Sequence, residues 1–281
     1  MAVNPIFQRL HLLTGTPALD LLRTARVAIF GLGGVGSWAA EALVRSGVCD
    51  ITLVDNDVVC ITNVNRQLQA TTQNVGKSKA GELKERILVL NPRCKVTALQ
   101  KVYEPDTAAE FELESFDYVL DCIDSISCKV DLIRQATAAG TRLYSSMGAA
   151  SKLDPTRIQV ADIWETQGCP LARLMRRHLR ATGFDANVTT VYSPEVLPPV
   201  ESTSVACGTH SCHCPSYVPD DGGEHKDWCA TKNVINGSAV HITATFGLFL
   251  AGLVVQNAVA RAETGTPTAD TPTSPFDIVD S

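Results

Sequence analysis

Short apolar runs alternate with stretches of helical spacing through the first half of the chain. The apolar runs have the length of buried strands and lie at residues 26–30, 51–54, 95–99, 117–121 and 142–145. The stretches with apolar side chains at helical spacing lie at residues 37–46, 74–90 and 129–139. Strands that alternate with helices predict an α/β fold, here a Rossmann-like, doubly wound and mainly parallel sheet.

The second half of the chain is less regular. We predict a strand over residues 159–163 and a basic helix over residues 171–180. An uncharged stretch at residues 233–260 is long enough to cross a bilayer, but His241 and Gln256 are among the polar residues that interrupt it. We therefore expect a buried helix that packs on the sheet as a C-terminal extension, and no stable membrane span.

Composition narrows the class of protein. The 281 residues are 45% hydrophobic and 19% charged, which suits one large core or two modest ones and excludes disorder or coiled coil as the main structure. The net charge of −6 excludes a general nucleic-acid coat but leaves room for a local basic patch. The ten cysteines include isolated ones such as Cys94, and the N-terminus has no apolar run of signal-peptide length. We expect reduced thiols and a cytoplasmic location.

A glycine-rich loop follows the first predicted strand and opens the first predicted helix. Gly31, Gly33 and Gly36 have the Gly-x-Gly-x-x-Gly spacing, which lets the backbone approach phosphates at a helix N-terminus. Asp55 ends the next strand, where a carboxylate can bind ribose hydroxyls. These residues predict a nucleotide site, and taken alone they favour NAD.

Three further charges favour ATP over NAD. Arg66 follows the second strand, and Lys79 lies on the next predicted helix. A triphosphate with a leaving pyrophosphate benefits from such cations, whereas the pyrophosphate of a dinucleotide needs little more than backbone amides. Asp124 follows the strand that ends at residue 121, where a carboxylate can hold Mg²⁺ against phosphates.

Several segments of the chain resemble a known superfamily. The glycine loop and residues 55–57, 63–67, 75–79 and 121–124 look like the ThiF/MoeB/HesA adenylating enzymes, which are related to ubiquitin-activating enzymes. Residues 153–163, 170–173 and 192–195 resemble one branch, the tRNA threonylcarbamoyladenosine dehydratases. The resemblance covers roughly residues 6–262, with insertions in the 202–232 region.

The resemblance implies roles for individual residues. Gly34 and Asp55 would contact adenosine, and Asp124 would hold the magnesium ion. The implied nucleotide contacts are Gly31, Gly33, Gly34, Gly36, Asp55, Asp57, Asn63, Arg66, Gln67, Lys79, Asp124 and Ser125. The implied catalytic residues are Arg9, Arg66, Lys79 and Asp124. Arg9 matches an arginine that reaches the ATP of the other subunit, so the resemblance also implies a homodimer.

The resemblance implies a single adenylating domain over residues 1–264. Its nucleotide-binding half would span about residues 1–150, and its substrate-shaping half about residues 151–264. Residues 194–232 are rich in Pro, Gly, Ser and Cys, and we expect a mobile insertion there. Residues 265–281 hold three Pro and four Thr, which predicts a flexible tail.

The implied activity is ATP-dependent cyclisation, with loss of water, of threonylcarbamoyladenosine at position 37 of tRNA. A substrate carboxylate would first be joined to AMP, because a free carboxylate is a poor electrophile. The alternative is an enzyme that adenylates the C-terminus of a ubiquitin-like or sulfur-carrier protein, for which Cys169 lies in the region of a reactive cysteine. A non-enzymatic nucleotide-binding scaffold ranks last, because Arg66, Lys79 and Asp124 are all present.

Partners are predicted from two further clusters. Arg173, Arg176, Arg177 and Arg180 crowd one short helix, and on an acidic chain they suit a phosphate-rich partner such as tRNA. We do not expect a zinc site, although four cysteines could bind zinc. They are Cys207, Cys212, Cys214 and Cys229. The resemblance leaves open a sulfur-transfer or carrier-protein partner and an association with mitochondria.

Overall fold

The computed structural model describes residues 4–198 and 236–265. Within these residues the strands are β1 Arg26–Phe30, β2 Asp50–Val54, β3 Lys95–Leu99, β4 Tyr118–Asp121, β5 Arg142–Ser146, β6 Gln159–Asp162 and β7 Thr189–Tyr192. They form one sheet in the order β3-β2-β1-β4-β5-β7-β6. Neighbouring strands are parallel except β6, which pairs antiparallel with β7. The predicted α/β fold with a mainly parallel sheet is confirmed.

Helices flank this sheet. They are α1 Gln8–Thr24, α2 Gly36–Arg45, α3 Lys79–Leu90, α4 Ile126–Ala138, α5 Pro170–Ala181 and α6 Val240–Thr264. Short 3-10 turns lie at Pro5–Phe7, Ile61–Asn63, Pro105–Phe111, Leu113–Ser115, Pro155–Arg157 and Ile163–Glu165.

The structure corrects two predicted helices and adds two elements. The helix predicted over 74–90 begins only at Lys79, because the Ser78 side chain accepts a hydrogen bond from Gly81 N and caps it there. The helix predicted over 129–139 begins earlier, at Ile126. Helix α1 and strand β7 were not predicted at all.

Helix α6 packs one face on α2 and α1. Its buried residues follow the i, i+4 spacing of one helical stripe and are Ile242, Thr243, Phe246, Gly247, Leu250, Ala251, Val254 and Ala258. By length and hydropathy alone, this helix could cross a membrane. The buried stripe gives α6 a role in the core, and the expectation that it does not span a membrane stays a prediction.

The order of the strands reverses beside β1. The chain goes from β1 outward to β2 and β3, and then returns to place β4 on the other side of β1. A reversal of this kind opens a crevice at the carboxyl ends of the two central strands, where α/β sheets bind ligands. Residues that follow β1, β2 and β4 therefore meet at one edge of the sheet, which we call the carboxyl edge.

Candidate active site

The glycine loop lies at the carboxyl edge between β1 and α2. Gly31 has a φ of +87°, and a Cβ added there would lie 2.6 Å from the Cys122 carbonyl oxygen, so a side chain would clash with the loop that follows β4. Gly34 packs under α6, where an added Cβ would lie 2.9 Å from the Thr243 Cβ. Gly33 accepts a hydrogen bond from Ser37 N (3.2 Å), and Gly36 begins α2. The loop therefore presents backbone N–H groups at a helix N-terminus.

Asp55 joins the glycine loop to the end of β2. Its Oδ2 accepts a hydrogen bond from Leu32 N (2.6 Å), and its Oδ1 accepts one from Asp57 N (2.8 Å). Burial raises the pKa of the Asp55 carboxyl, and the nearby Lys79 ammonium opposes that rise. The carboxylate is thus fixed in place beside the loop.

Lys79 is a buried lysine at the first position of α3. Its Nζ lies 2.7 Å from Oδ2 of Asp57, which is half exposed. Its backbone N donates to the Asp57 carbonyl (3.0 Å). The ammonium is therefore held at the carboxyl edge by a residue that a phosphate could replace.

Arg66 lies in the turn that follows Ile61–Asn63. Its Nη1 donates to the Thr62 carbonyl and to Asn65 Oδ1, both at 2.9 Å, and burial lowers the pKa of its guanidinium. The Trp38 indole donates to the Arg66 carbonyl (3.1 Å), which ties this turn to α2. Contacts within the protein therefore hold this turn in place.

Asn63 and Gln67 support the same turn. Asn63 is buried, and its carbonyl accepts the backbone N–H groups of Arg66 (3.0 Å) and Gln67 (2.9 Å). The Gln67 side chain is buried beside Gly33, and its Oε1 has no hydrogen-bond partner among the residues that the structure describes. That oxygen is a candidate contact for a polar group of a bound nucleotide.

Asp124 and Ser125 lie in the loop after β4, at the same edge. Asp124 is exposed, and Ser125 Oγ lies 3.3 Å from Ser127 Oγ. The part of the chain described here holds no cluster of three or more His, Cys, Asp or Glu side chains suited to a metal. Asp124 alone fits Mg²⁺ of the kind that is completed by water and phosphate oxygens, rather than a metal caged by protein.

Three buried polar residues beneath this loop were not predicted. Asp121, Lys129 and Ser145 are fully buried and in contact, with Lys129 Nζ 2.8 Å from Asp121 Oδ2. A signal was present in the sequence, because Lys129 lies on the same helical face as Leu132, an apolar residue at i+3. A lysine on an apolar face predicts a buried partner.

The four arginines of α5 do not share one environment. Arg173 and Arg177 are exposed. Arg176 instead turns toward the protein, where its Nη1 donates to Thr166 O (2.8 Å) and Ile163 O (3.3 Å) and contacts Thr166 Oγ1. Arg180 is exposed, and its guanidinium carbon lies 5.1 Å from the centre of the Trp164 ring.

Arg9 is exposed on α1. Leu12 and Leu13 follow it at i+3 and i+4, so all three lie on one side of the helix. The two leucines are 74% and 83% exposed, which is unusual for large apolar side chains. Arg9 therefore stands beside an uncovered apolar surface.

Cys169, the cysteine of the alternative function, is not displayed as a reactive group. Cys169 precedes α5 and is buried at 3% exposure, where it packs near Gly148. Cys207, Cys212, Cys214 and Cys229 lie outside the described residues, as does most of the predicted insertion at 194–232.

Comparison with known proteins defines the class. The model of the ThiF family matches residues 7–272, and the chain belongs to that family. It is similar to the tRNA threonylcarbamoyladenosine dehydratase of Bacillus subtilis, with 46% identity over 67% of this chain and 74% of the relative. The Escherichia coli dehydratase is 37% identical over 89% of this chain and 92% of its own length. The crystal structure of E. coli TcdA in complex with ATP covers 94% of this chain and 99% of its own, with a TM-score of 0.77 and 33% identity.

Proposed function

We propose that the protein is an ATP-dependent tRNA threonylcarbamoyladenosine dehydratase. The observation that carries the proposal is the convergence of the glycine loop, Asp55, Arg66, Lys79 and Asp124 at one edge of the sheet. The similarity to dehydratases over nearly the whole of the E. coli enzyme supports the same activity. The ATP complex of that enzyme supports ATP as the nucleotide.

The first chemical step joins the substrate carboxylate to AMP. A carboxylate oxygen attacks the α-phosphorus, the bond to the β-phosphate breaks, and pyrophosphate leaves. Both reactants are anions, so the site must align them and neutralise their repulsion. Arg66 and Lys79 supply fixed positive charge, and Lys79 exchanges Asp57 for a phosphate oxygen when ATP binds. Magnesium held by Asp124 would add charge neutralisation when it is bound.

The second step closes the ring within the same modified base. A nucleophilic atom of the base loses its proton and attacks the activated carbonyl, and AMP leaves with the former carboxylate oxygen. The nucleoside thereby loses the elements of one water. No enzyme thiol is needed, which agrees with the burial of Cys169.

Helix α5 is the proposed contact for the tRNA backbone. Arg173 and Arg177 are exposed on this helix, which lies within the predicted substrate-shaping half, and Arg180 is exposed beside Trp164. Exposed guanidinium groups bind phosphates and release counterions, so this contact should weaken with salt. Arg176 makes interior contacts with the Thr166 and Ile163 carbonyls, so the proposed tRNA contact consists of Arg173, Arg177 and Arg180.

A homodimer with shared active sites completes the proposal. Leu12 and Leu13 on α1, with Leu248 and Phe249 on α6, leave apolar surface uncovered on two helices that pack together. A second copy of the chain would cover such a surface and bring Arg9 to the ATP of its partner.

Mass spectrometry of nucleosides tests the function. The purified protein is incubated with ATP and tRNA that carries threonylcarbamoyladenosine, and the tRNA is digested to nucleosides. We expect the modified nucleoside to lose the mass of one water only when ATP is present. An unchanged nucleoside, together with adenylation of a sulfur-carrier protein, would favour the alternative function.

A further inference from the structure

A buried ion pair lies directly beneath the loop that carries Asp124. Asp121 ends β4, and Lys129 reaches it from the first turns of α4, with Nζ 2.8 Å from Asp121 Oδ2. Ser145 of β5 donates its hydroxyl to the same Oδ2 at 2.6 Å. All three residues are fully buried.

Lys129 also binds the backbone of the loop. Its Nζ donates to the carbonyl of Ile123 at 3.1 Å and lies 3.5 Å from the carbonyl of Asp121. The Ile123 backbone N in turn donates to Asp121 Oδ1 at 3.2 Å. One ammonium group therefore holds both ends of the segment 121–123, and Asp124 is the next residue.

Two parts of the active site rest on this segment. Asp124 follows it directly in the chain and would hold the predicted magnesium ion. The Cys122 carbonyl is the atom that Gly31 approaches so closely that no Cβ would fit, and Cys122 N donates to Phe30 O at 2.8 Å. A shift of the segment would move the Asp124 carboxylate and the start of the glycine loop together.

A gain in folding stability does not explain the buried pair of Asp121 and Lys129. Two charges lose their hydration when they are buried, and apolar residues of similar size often stabilise a core as well or better. The cost of desolvating the two charges is explained if the pair fixes the position of the loop, because contacts behind a metal ligand orient that ligand.

We propose that Lys129 is a positioning residue, which through Asp121 and the Ile123 carbonyl fixes the loop that presents Asp124 to magnesium and ATP. This inference rests on the proposed function, because it takes Asp124 as the magnesium ligand. Lys129 itself touches no substrate.

The test removes the pair without leaving a buried charge. The double variant D121N/K129M replaces both ions with neutral groups of similar size, and Y103F is the matched control. Tyr103 donates its hydroxyl to Asp131 of the same helix α4 (2.9 Å) rather than to the segment 121–123. Calorimetric titration with ATP, with and without Mg²⁺, gives the gain in ATP affinity due to magnesium, and thermal unfolding is measured in parallel.

We expect D121N/K129M to keep its fold and to lose about 10-fold or more of the gain in affinity due to magnesium. Y103F should keep the whole gain. A folded double variant with the gain of the wild type would overturn the positioning role.

Two further results separate the possible failures. If the double variant does not fold, S145A decides, because it removes only the hydroxyl bond to Asp121. A reduced gain in S145A supports the role of the pair, and an unchanged gain contradicts it. Suppose that the wild type binds ATP more tightly with magnesium and still leaves the modified nucleoside of tRNA unchanged. That result would refute the proposed function and leave the positioning role of Lys129 intact. If the ATP affinity of the wild type does not depend on magnesium, the positioning role is contradicted and the proposed function is not.

Discussion

Charged side chains cluster both at the carboxyl edge and on helix α5, but their surroundings differ. At the carboxyl edge, charged side chains are fixed by partners within the protein, such as Lys79 by Asp57 and Asp55 by Leu32 N. On α5, Arg173 and Arg177 stand exposed. The edge resembles a preorganised catalytic site, and the helix resembles a docking surface.

This difference predicts two kinds of sensitivity. A fixed charge at a partly buried site acts on the reacting phosphates without reorganisation, so its removal lowers the rate strongly. An exposed charge is screened by salt, and its removal lowers affinity by a modest factor that depends on ionic strength.

The largest effects should come from the carboxyl edge. Lys79→Ala and Asp124→Asn should each reduce ATP-dependent turnover by ~100-fold or more, because each removes a preorganised charge near the phosphates. Lys77→Ala is the matched control, since Lys77 is an exposed lysine two positions earlier. Turnover is measured with tRNA in excess, and circular dichroism confirms folding. Near-normal turnover in either edge variant would remove that residue from the site.

Mixed dimers test whether the carboxyl edge is completed by a partner. Arg9→Ala and Asp124→Asn should each be inactive, and their mixture should recover roughly a quarter of wild-type activity after subunit exchange. The reason is that half the dimers are mixed, and one of the two sites in each mixed dimer is intact. Co-expression with two tags allows the mixed dimer to be isolated. A mixed dimer as inactive as its parents would show that Arg9 does not act across subunits.

The exposed arginines of α5 should affect tRNA binding and leave chemistry intact. Replacing Arg173 and Arg177 with Gln should lower the slope of log affinity against log salt by about 1 for each lost phosphate contact. Arg93→Gln removes one exposed positive charge near the start of β3, at the opposite edge of the sheet, and serves as the control for charge lost away from α5. Filter binding over a salt series measures the slope. An unchanged slope in the α5 variant would place the tRNA elsewhere.

The smallest effect should come from replacing Arg176. This variant tests whether Arg176 stabilises the fold or contacts tRNA. Arg176→Gln should lower the free energy of unfolding by about 1–3 kcal/mol, because it removes charge-assisted bonds to Thr166 and Ile163 carbonyls. Urea denaturation measures this loss. If the variant has normal stability but a reduced slope of log tRNA affinity against log salt, Arg176 contacts tRNA instead.

The strands were predictable because they are short apolar runs bounded by polar residues. β1 and β3 match the predicted boundaries, and β2, β4 and β5 differ by one residue at one end. Helix α1 escaped prediction because Gly15, with a φ of +77°, and Pro17 interrupt it in a way that is typical of a loop. β7 is a four-residue strand rich in Thr, with too few apolar positions to stand out.

The types of site residue were predictable, but their pairings were not. The glycine spacing and the acidic residue after β2 mark the edge in the sequence. That Lys79 pairs with Asp57 and Lys129 with Asp121 depends on how helices return to strand ends, which spacing along the chain does not reveal. The division of the α5 arginines likewise depends on the Thr166 carbonyl, contributed by a loop.

The path of one oxygen atom tests most directly the claim that the carboxyl edge joins a substrate carboxylate to AMP. The measurement uses tRNA in which both oxygens of the threonylcarbamoyl carboxylate are oxygen-18, with unlabelled ATP and water. Mass spectrometry then gives the label in AMP and in the nucleoside. We predict that one labelled oxygen appears in AMP and that the cyclised nucleoside keeps the other. Unlabelled AMP, or label in inorganic phosphate with release of ADP, would contradict the account.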